Sequence, residues 1–157
     1  MKTKEDFDAF LAELRKETGI SSLVADKSGL VSIRVDETYN LNLQFVEATG
    51  KVLCFVEVAE LPVDAPAAVY RHLLEGGLFG KETAGGYFAL EPISDTVVYN
   101  YFFDLEQAAA DPEDFIATIE KMLQLCDLWA ERIKNDLAAD SASASLVDKS
   151  ANPMMFA

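Results

Sequence analysis

From Leu30 to Phe45 the chain alternates between apolar and polar positions. Val31, Ile33 and Val35 are separated by Ser32 and Arg34, and Tyr39, Leu41, Leu43 and Phe45 by Asn40, Asn42 and Gln44. This period of two predicts two strands, each with one buried and one wet face. Asp36-Glu37-Thr38 joins them, and Ala48-Thr49-Gly50-Lys51 turns the chain again, with Gly50 able to take positive φ. The next run, Val52 to Ala59, has another character. Val52, Cys54, Val56 and Val58 fill one side, Leu53 and Phe55 are apolar on the other, and Glu57 is its only charge. A strand apolar on both sides is covered on both sides. The chain's own helices account for one cover, and a second chain is a candidate for the other.

The period changes to 3.6 on either side of this array. Thr3 caps a first helix whose apolar face is Phe7, Phe10, Leu11 and Leu14, and Gly19 offers its C-terminal cap. Ser22-Leu23-Val24-Ala25 reads as a short strand and Asp26-Lys27-Ser28-Gly29 as a turn. Leu61-Pro62 ends the array, and Asp64 is placed to cap a second helix running to about Leu78. That helix carries two apolar stripes: Ala67, Tyr70, Leu74 and Leu78 form one, and Val69 and Leu73 the other. So wide an apolar face implies contact with two surfaces. Glycines loosen Gly76 to Gly86. Strands follow at Tyr87 to Leu90 and Thr96 to Phe103. Asp111-Pro112-Glu113-Asp114 then opens a long helix to about Leu137, striped by Phe115, Ile119, Met122, Cys126, Trp129 and Ile133. The expected fold is α+β: an antiparallel twisted sheet of about five strands with three helices, in the order α-β-β-β-α-β-β-α. Residues 1–137 form one domain. From Ala138 the composition shifts to Ser and Ala without periodicity, which predicts a mostly disordered tail over 138–157, ending in the apolar Met154-Met155-Phe156.

Charge narrows the partners. With 27 acidic and 13 basic residues the net charge is −14, and the pI is near 4.3. Nucleic acid and anionic membrane surfaces both need a basic face and are disfavoured. A mean hydropathy of +0.09 is high for so charged a chain and points to apolar surface set aside for an interface. No apolar run approaches the roughly 20 residues of a membrane helix, and the charged N-terminus does not read as a signal peptide. Cys54 and Cys126 fall on apolar faces without a C-x-x-C or Cys/His cluster, as buried reduced thiols do.

Candidate chemistry is thin. Gly80-Lys81 lacks the glycine five residues earlier and the following Ser or Thr of a phosphate loop; Glu75 and Glu82 stand there. His72 is the only histidine and lies on a helix flank beside Arg71 without a nucleophile motif, as a surface or interface histidine does. The carboxylates show no catalytic spacing, and no metal or cofactor is implied.

The ordered set of elements resembles the type III secretion chaperones of the Tir chaperone (CesT-like) family. The likeness is carried by Phe7-Asp8-Ala9-Phe10-Leu11 in the first helix, the Val31 to Phe45 strands passing through Asp36, Glu60-Leu61-Pro62, Leu73-Leu74, Gly85-Gly86 before Tyr87, and Trp129 late in the last helix. It spans residues 5 to 137. Gly76-Gly77 departs from the Asn that many members carry after the paired leucines, and the Ser/Ala tail is not covered. The resemblance implies a non-enzymatic bacterial cytoplasmic protein that acts as a homodimer without a cofactor. Its dimer contact is formed by the second helix and the following strand, here Val69, Leu73, Leu78, Phe79 and Tyr87. The implied ligand is the N-terminal segment of a secreted effector, bound in extended form along grooves between the first helix and the sheet, with strand addition at the sheet edge. Phe7, Phe10, Leu14 and Leu23 are the groove candidates. The competing expectation is a small α+β ligand-binding domain or enzyme with a site near the Gly76 to Gly86 loop.

Overall fold

A computed structural model of the chain describes residues 2–151, with side chains through Ser141. Helix α1 (Lys4–Thr18) is followed by three strands, β1 (Leu30–Val35), β2 (Tyr39–Val46) and β3 (Lys51–Glu60). Then come α2 (Ala67–Gly76), a single 3-10 turn at Leu78–Gly80, β4 (Tyr87–Glu91), β5 (Thr96–Asp104), α3 (Leu105–Ala110) and α4 (Pro112–Ala151). The five strands form one antiparallel sheet in the order β1-β2-β3-β5-β4, so β1 and β4 are its two edges.

Local chemistry accounts for the boundaries. Thr3 caps α1 in a reciprocal box with Asp6, and Gly19 closes it in the left-handed conformation at φ 73°. The β1–β2 turn places Asp36 and Glu37 at φ 51° and 57°, left-handed without a glycine. The Arg34 guanidinium steadies that turn by donating to the Glu37 carbonyl at 2.6 Å. Helix α2 begins at Ala67, two residues later than an Asp64 cap would place it. Pro66 is its N-cap in extended geometry, and a residue before proline is held out of the helical region.

The core lies on one face of the sheet. Phe7 stacks on Phe45 with ring centroids 5.6 Å apart, Phe10 meets Phe115 edge-on at 5.1 Å, and Phe88 meets Trp129 at 5.0 Å. The α4 stripe of Phe115, Ile119, Met122, Cys126, Trp129 and Ile133 is buried against this face. Tyr39 adds a directed tie from β2 to α4, its hydroxyl donating to Asp127 Oδ1 at 2.6 Å. On the opposite face Leu53 and Phe55 are half-buried and Phe102 is exposed. Among the described residues no second layer covers the far side of β3.

Three sequence expectations change. Ser22 to Ala25 is not a strand: the Arg15 guanidinium takes the Leu23 carbonyl, and Val24 N donates to Ser22 O at 2.8 Å, so the segment pairs locally instead of with the sheet. A fourth helix, α3, fits between β5 and α4, capped by Asp104 Oδ1, which accepts from the Glu106 and Gln107 amides. Finally, α4 does not stop near Leu137 but continues to Ala151, through much of the stretch expected to be disordered. Alanine, leucine and lysine are good helix formers, and a helix already nucleated by its packed half propagates without a second nucleation cost. Met154-Met155-Phe156 lies outside the described residues.

Candidate peptide groove and subunit face

Two apolar surfaces are left open, one beside each edge of the sheet. The first is a groove of about 310 Å³. Its floor is Ile33 and Val35 of β1 with Leu41 and Leu43 of β2, one wall is the end of α1 and the following loop, and the other is the first half of α4. Leu14 and Leu23 line it, together with Ile20, Ile116, Ile119 and Leu123, none of which the sequence singled out as groove residues. Glu120 is its one charged lining residue. Phe7 and Phe10 do not line it: they are 0 % and 3 % exposed, turned into the core against Phe45 and Phe115.

The second surface belongs to α2, the turn after it and β4. Val69 and Leu73, assigned from sequence to a dimer contact, face inward instead, at 0 % and 9 % exposure, because their stripe packs on the subunit's own core. The outward stripe is the other one. Leu74 is 79 % exposed, Leu78 61 % and Phe79 84 %, with Tyr87 and Leu90 exposed beside them on β4. Tyr70, Leu74, Phe88 and Leu90 surround a hollow of about 170 Å³ on this face. The tip is held in an unusual backbone shape: Phe79 sits at φ 57°, a left-handed position that costs a non-glycine residue about 1 kcal/mol or more. Leu74 and Leu90 lie on this exposed face and were not among the residues named from sequence for a dimer contact, although Leu74 belonged to a stripe visible in the sequence.

The Gly76 to Gly86 loop does border a cleft, of about 420 Å³, lined by His72, Glu75, Glu82, Trp129, Arg132, Asn135 and Asp136. Its charged groups are matched to one another. His72 Nδ1 lies 2.7 Å from Asp136 Oδ2, Arg132 donates to Glu82 at 3.2 Å while lying over the Trp129 ring, and Arg71 holds Glu75 at 2.8 Å. The Trp129 indole N–H donates to the Glu82 carbonyl at 2.9 Å. Among the described residues no cluster of three or more His, Cys, Asp or Glu could hold a metal ion, and no helix is long and apolar enough to cross a membrane. Both cysteines are free and fully buried. Burial pushes the Cys126 thiol up to about 12 and raises Cys54 as well.

The Tir chaperone protein (CesT) family matches residues 9–130, most of the chain and all five strands. The chain belongs to the CesT family. Solved structures of similar fold include a chain of the ExsC–ExsE complex, at TM-score 0.71 and 20% identity over 83% of this chain and 96% of that one. A chain of the HopA1–SchA chaperone–effector complex aligns at TM-score 0.63 and 19% identity, over 84% and 95%. The type III secretion chaperone SycH of Yersinia pestis, solved with a fragment of YscM2, aligns at TM-score 0.56 and 15% identity, over 76% and 98%. At these identities the likeness is one of fold. No curated protein matches the chain. In this CesT-family chain the match takes in both open surfaces: the α1–sheet–α4 groove and the α2–β4 face.

Proposed function

We propose that the protein is a type III secretion chaperone of the bacterial cytoplasm, a homodimer that holds the N-terminal segment of a secreted effector in extended form. The observation that carries this reading is the apolar groove open to solvent beside the unpaired β1 edge. Leu14 and Leu23 line it, while Phe7 and Phe10 brace α1 from behind. Such a groove suits a client without structure of its own: backbone bonds along a sheet edge supply affinity, and side-chain pockets supply selectivity. Structures of similar fold are chaperone–effector complexes, one of them HopA1–SchA. The net charge of −14 favours keeping a partly unfolded client soluble.

The twin subunit docks on the outward stripe, with Leu74, Leu78, Phe79, Tyr87 and Leu90 in contact, and Val69 and Leu73 supporting it from inside. The reading of an enzyme or ligand site at the Gly76 to Gly86 loop is less favoured. Each charge in that cleft is matched by a neighbour, and none is left oriented toward a substrate.

Co-expression with candidate effectors, followed by affinity purification of the full chain, tests the reading. An N-terminal effector segment is expected to co-purify. Light scattering is expected to give a dimer at micromolar concentration, and Leu74→Glu, at an exposed position, a folded monomer. A strict wild-type monomer, or the absence of any effector segment from the purified chain, would sink it.

A further inference from the structure

The loop between α2 and β4 is bent in a way its own sequence does not favour. Phe79, Gly80, Ala84 and Gly85 are all left-handed, at φ 57°, 68°, 49° and 84°, and two of these four carry a Cβ. Thr83 is fully buried, and its Oγ1 finds no hydrogen-bond partner among the described residues. Settings of this kind persist only where the surroundings over-determine them, and they gather at functional segments.

Two side chains from different layers supply that constraint. The Trp129 indole of α4 donates to the Glu82 carbonyl at 2.9 Å, and the Tyr99 hydroxyl of β5 donates to the Thr83 carbonyl at 2.6 Å. Consecutive carbonyls are thus gripped from the helix and from the sheet. Tyr99 is 0 % and Trp129 2 % exposed, so both bonds form away from bulk water, where they are strongest. Gly86 lies so close to the Tyr99 hydroxyl that a Cβ there would not fit. Arg132 adds an outer tie to Glu82 Oε2 at 3.2 Å. Beyond the gripped pair the backbone closes on itself: Gly85 N donates to Gly80 O at 3.3 Å, and Gly80 N to Gly77 O at 3.1 Å. Leu78 and Phe79 are left standing at the tip, 61 % and 84 % exposed.

We propose that Trp129 and Tyr99 are positioning residues for the contact between subunits. By fixing the Glu82 and Thr83 carbonyls they hold the loop in its strained bend. Phe79 is then presented as a preorganised anchor, and the twin does not have to order the tip on docking. This rests on the reading of the α2–β4 face as the homodimer contact. It adds to that contact two residues that are buried in their own subunit and act through the loop.

Sedimentation equilibrium and amide exchange on the full chain test the proposal together. Tyr99→Phe removes one hydroxyl, while the Thr83 carbonyl keeps its bond from Gly86 N at 2.9 Å, so the fold is retained. It is expected to weaken the dimer about tenfold, and Trp129→Phe to weaken it at least as much. Phe79→Ala keeps the Cβ, and so the backbone preference, but removes the anchor; a loss of about thirtyfold is expected. A merely structural role would make Tyr99→Phe cost the same factor with or without the Phe79 ring. Positioning predicts a cost of less than about twofold once that ring is gone. In the monomeric Leu74→Glu chain, Tyr99→Phe is expected to speed exchange of the Gly80 and Gly85 amides about tenfold and to leave the β2–β3 amides unchanged. Equal losses in both backgrounds, or unchanged exchange at Gly80 and Gly85, would overturn the proposal. The exchange arm decides it even where a variant's dimer is too weak to measure. A dimer indifferent to Phe79→Ala would overturn the anchor. A wild-type chain that stays monomeric sinks the twin reading first and this proposal with it.

Discussion

Replacing Gly76 with alanine is expected to destabilise the protein, although the same change in most helices does the opposite. Gly76 is buried in the last turn of α2, and a Cβ built there falls well inside contact distance of Trp129 Cζ2 and Cη2. The indole has little freedom to retreat. It is 2 % exposed, meets Phe88 at 5.0 Å, and donates to the Glu82 carbonyl at 2.9 Å. Helix propensity alone favours alanine by about 1 kcal/mol. Against that stand overpacking, at about 1–3 kcal/mol, and a strained or lost indole hydrogen bond, at about 1 kcal/mol. The balance is a loss of about 2 kcal/mol, a fall in Tm of about 4–8 °C for a chain of this size. Trp129 is the only tryptophan, so urea unfolding followed by its fluorescence reports on the perturbed site itself. Protein concentration is held constant, because self-association contributes to apparent stability. Gly77→Ala is the control: its Cβ would meet only the Leu74 and Leu73 carbonyls at 3.4 and 3.8 Å, and its φ of −74° suits alanine. A Gly76→Ala protein as stable as wild type, with unshifted tryptophan emission, would refute the reasoning.

Tyr39→Phe removes the bond to Asp127 while Asp127 stays exposed to water, so thermal melts are expected to show a loss of about 1 kcal/mol and no more. Cys54 and Cys126, buried with raised thiol pKa values, are expected to react with a thiol reagent at pH 8 only after unfolding; fast labelling of the native protein would show that α4 opens from β3. Asp6, Asp26 and Glu91 are each held below the ordinary carboxylate range, by hydrogen bonds from Thr3, Ser28 and Ser94 respectively. Depressed folded-state values mean that their contribution is present above the unfolded values near 4 and is lost as pH falls through the folded ones. Acid titration of stability is therefore expected to decline below about pH 4, and Asp26→Asn to make that decline shallower.

The strands were legible because a half-buried strand writes its two faces as alternating letters, and β1 and β2 do so plainly. Helix α3 was not, since six residues give no periodicity and its one signal is the Asp104 cap. On α1, Phe7, Phe10, Leu11 and Leu14 share one stripe, and nothing in the sequence separates the residues sealed by the sheet from Leu14 at the groove. That distinction depends on where α4 leaves a gap. On α2 the sequence displayed both stripes without saying which faced inward. The deciding fact is again tertiary, yet it left a trace. Val69, Leu73 and Gly76 follow one another at helical spacing, and a glycine in an apolar stripe marks where a large side chain from another element lies close to the backbone. Trp129 is that side chain.

A five-stranded open sheet has two edges, and this fold treats them differently. The β4 edge lies next to a broad apolar surface presented by α2, with Leu74, Leu78 and Phe79 all exposed. The β1 edge offers a narrow groove and two free backbone positions, guarded at one end by Asp26 and at the other by Arg34, which is tied to Asn40 and Glu37. Broad apolar surface suits a folded, self-complementary partner, whereas a short open ladder suits a chain with no fold to unmake. The edges are separated by four strand spacings, about 19 Å, so a twin and a client placed as proposed would not compete for the same atoms. With a net charge of −14, copies of the chain repel at long range, so a twin subunit docked as proposed would need the apolar burial of the α2–β4 face to offset that repulsion.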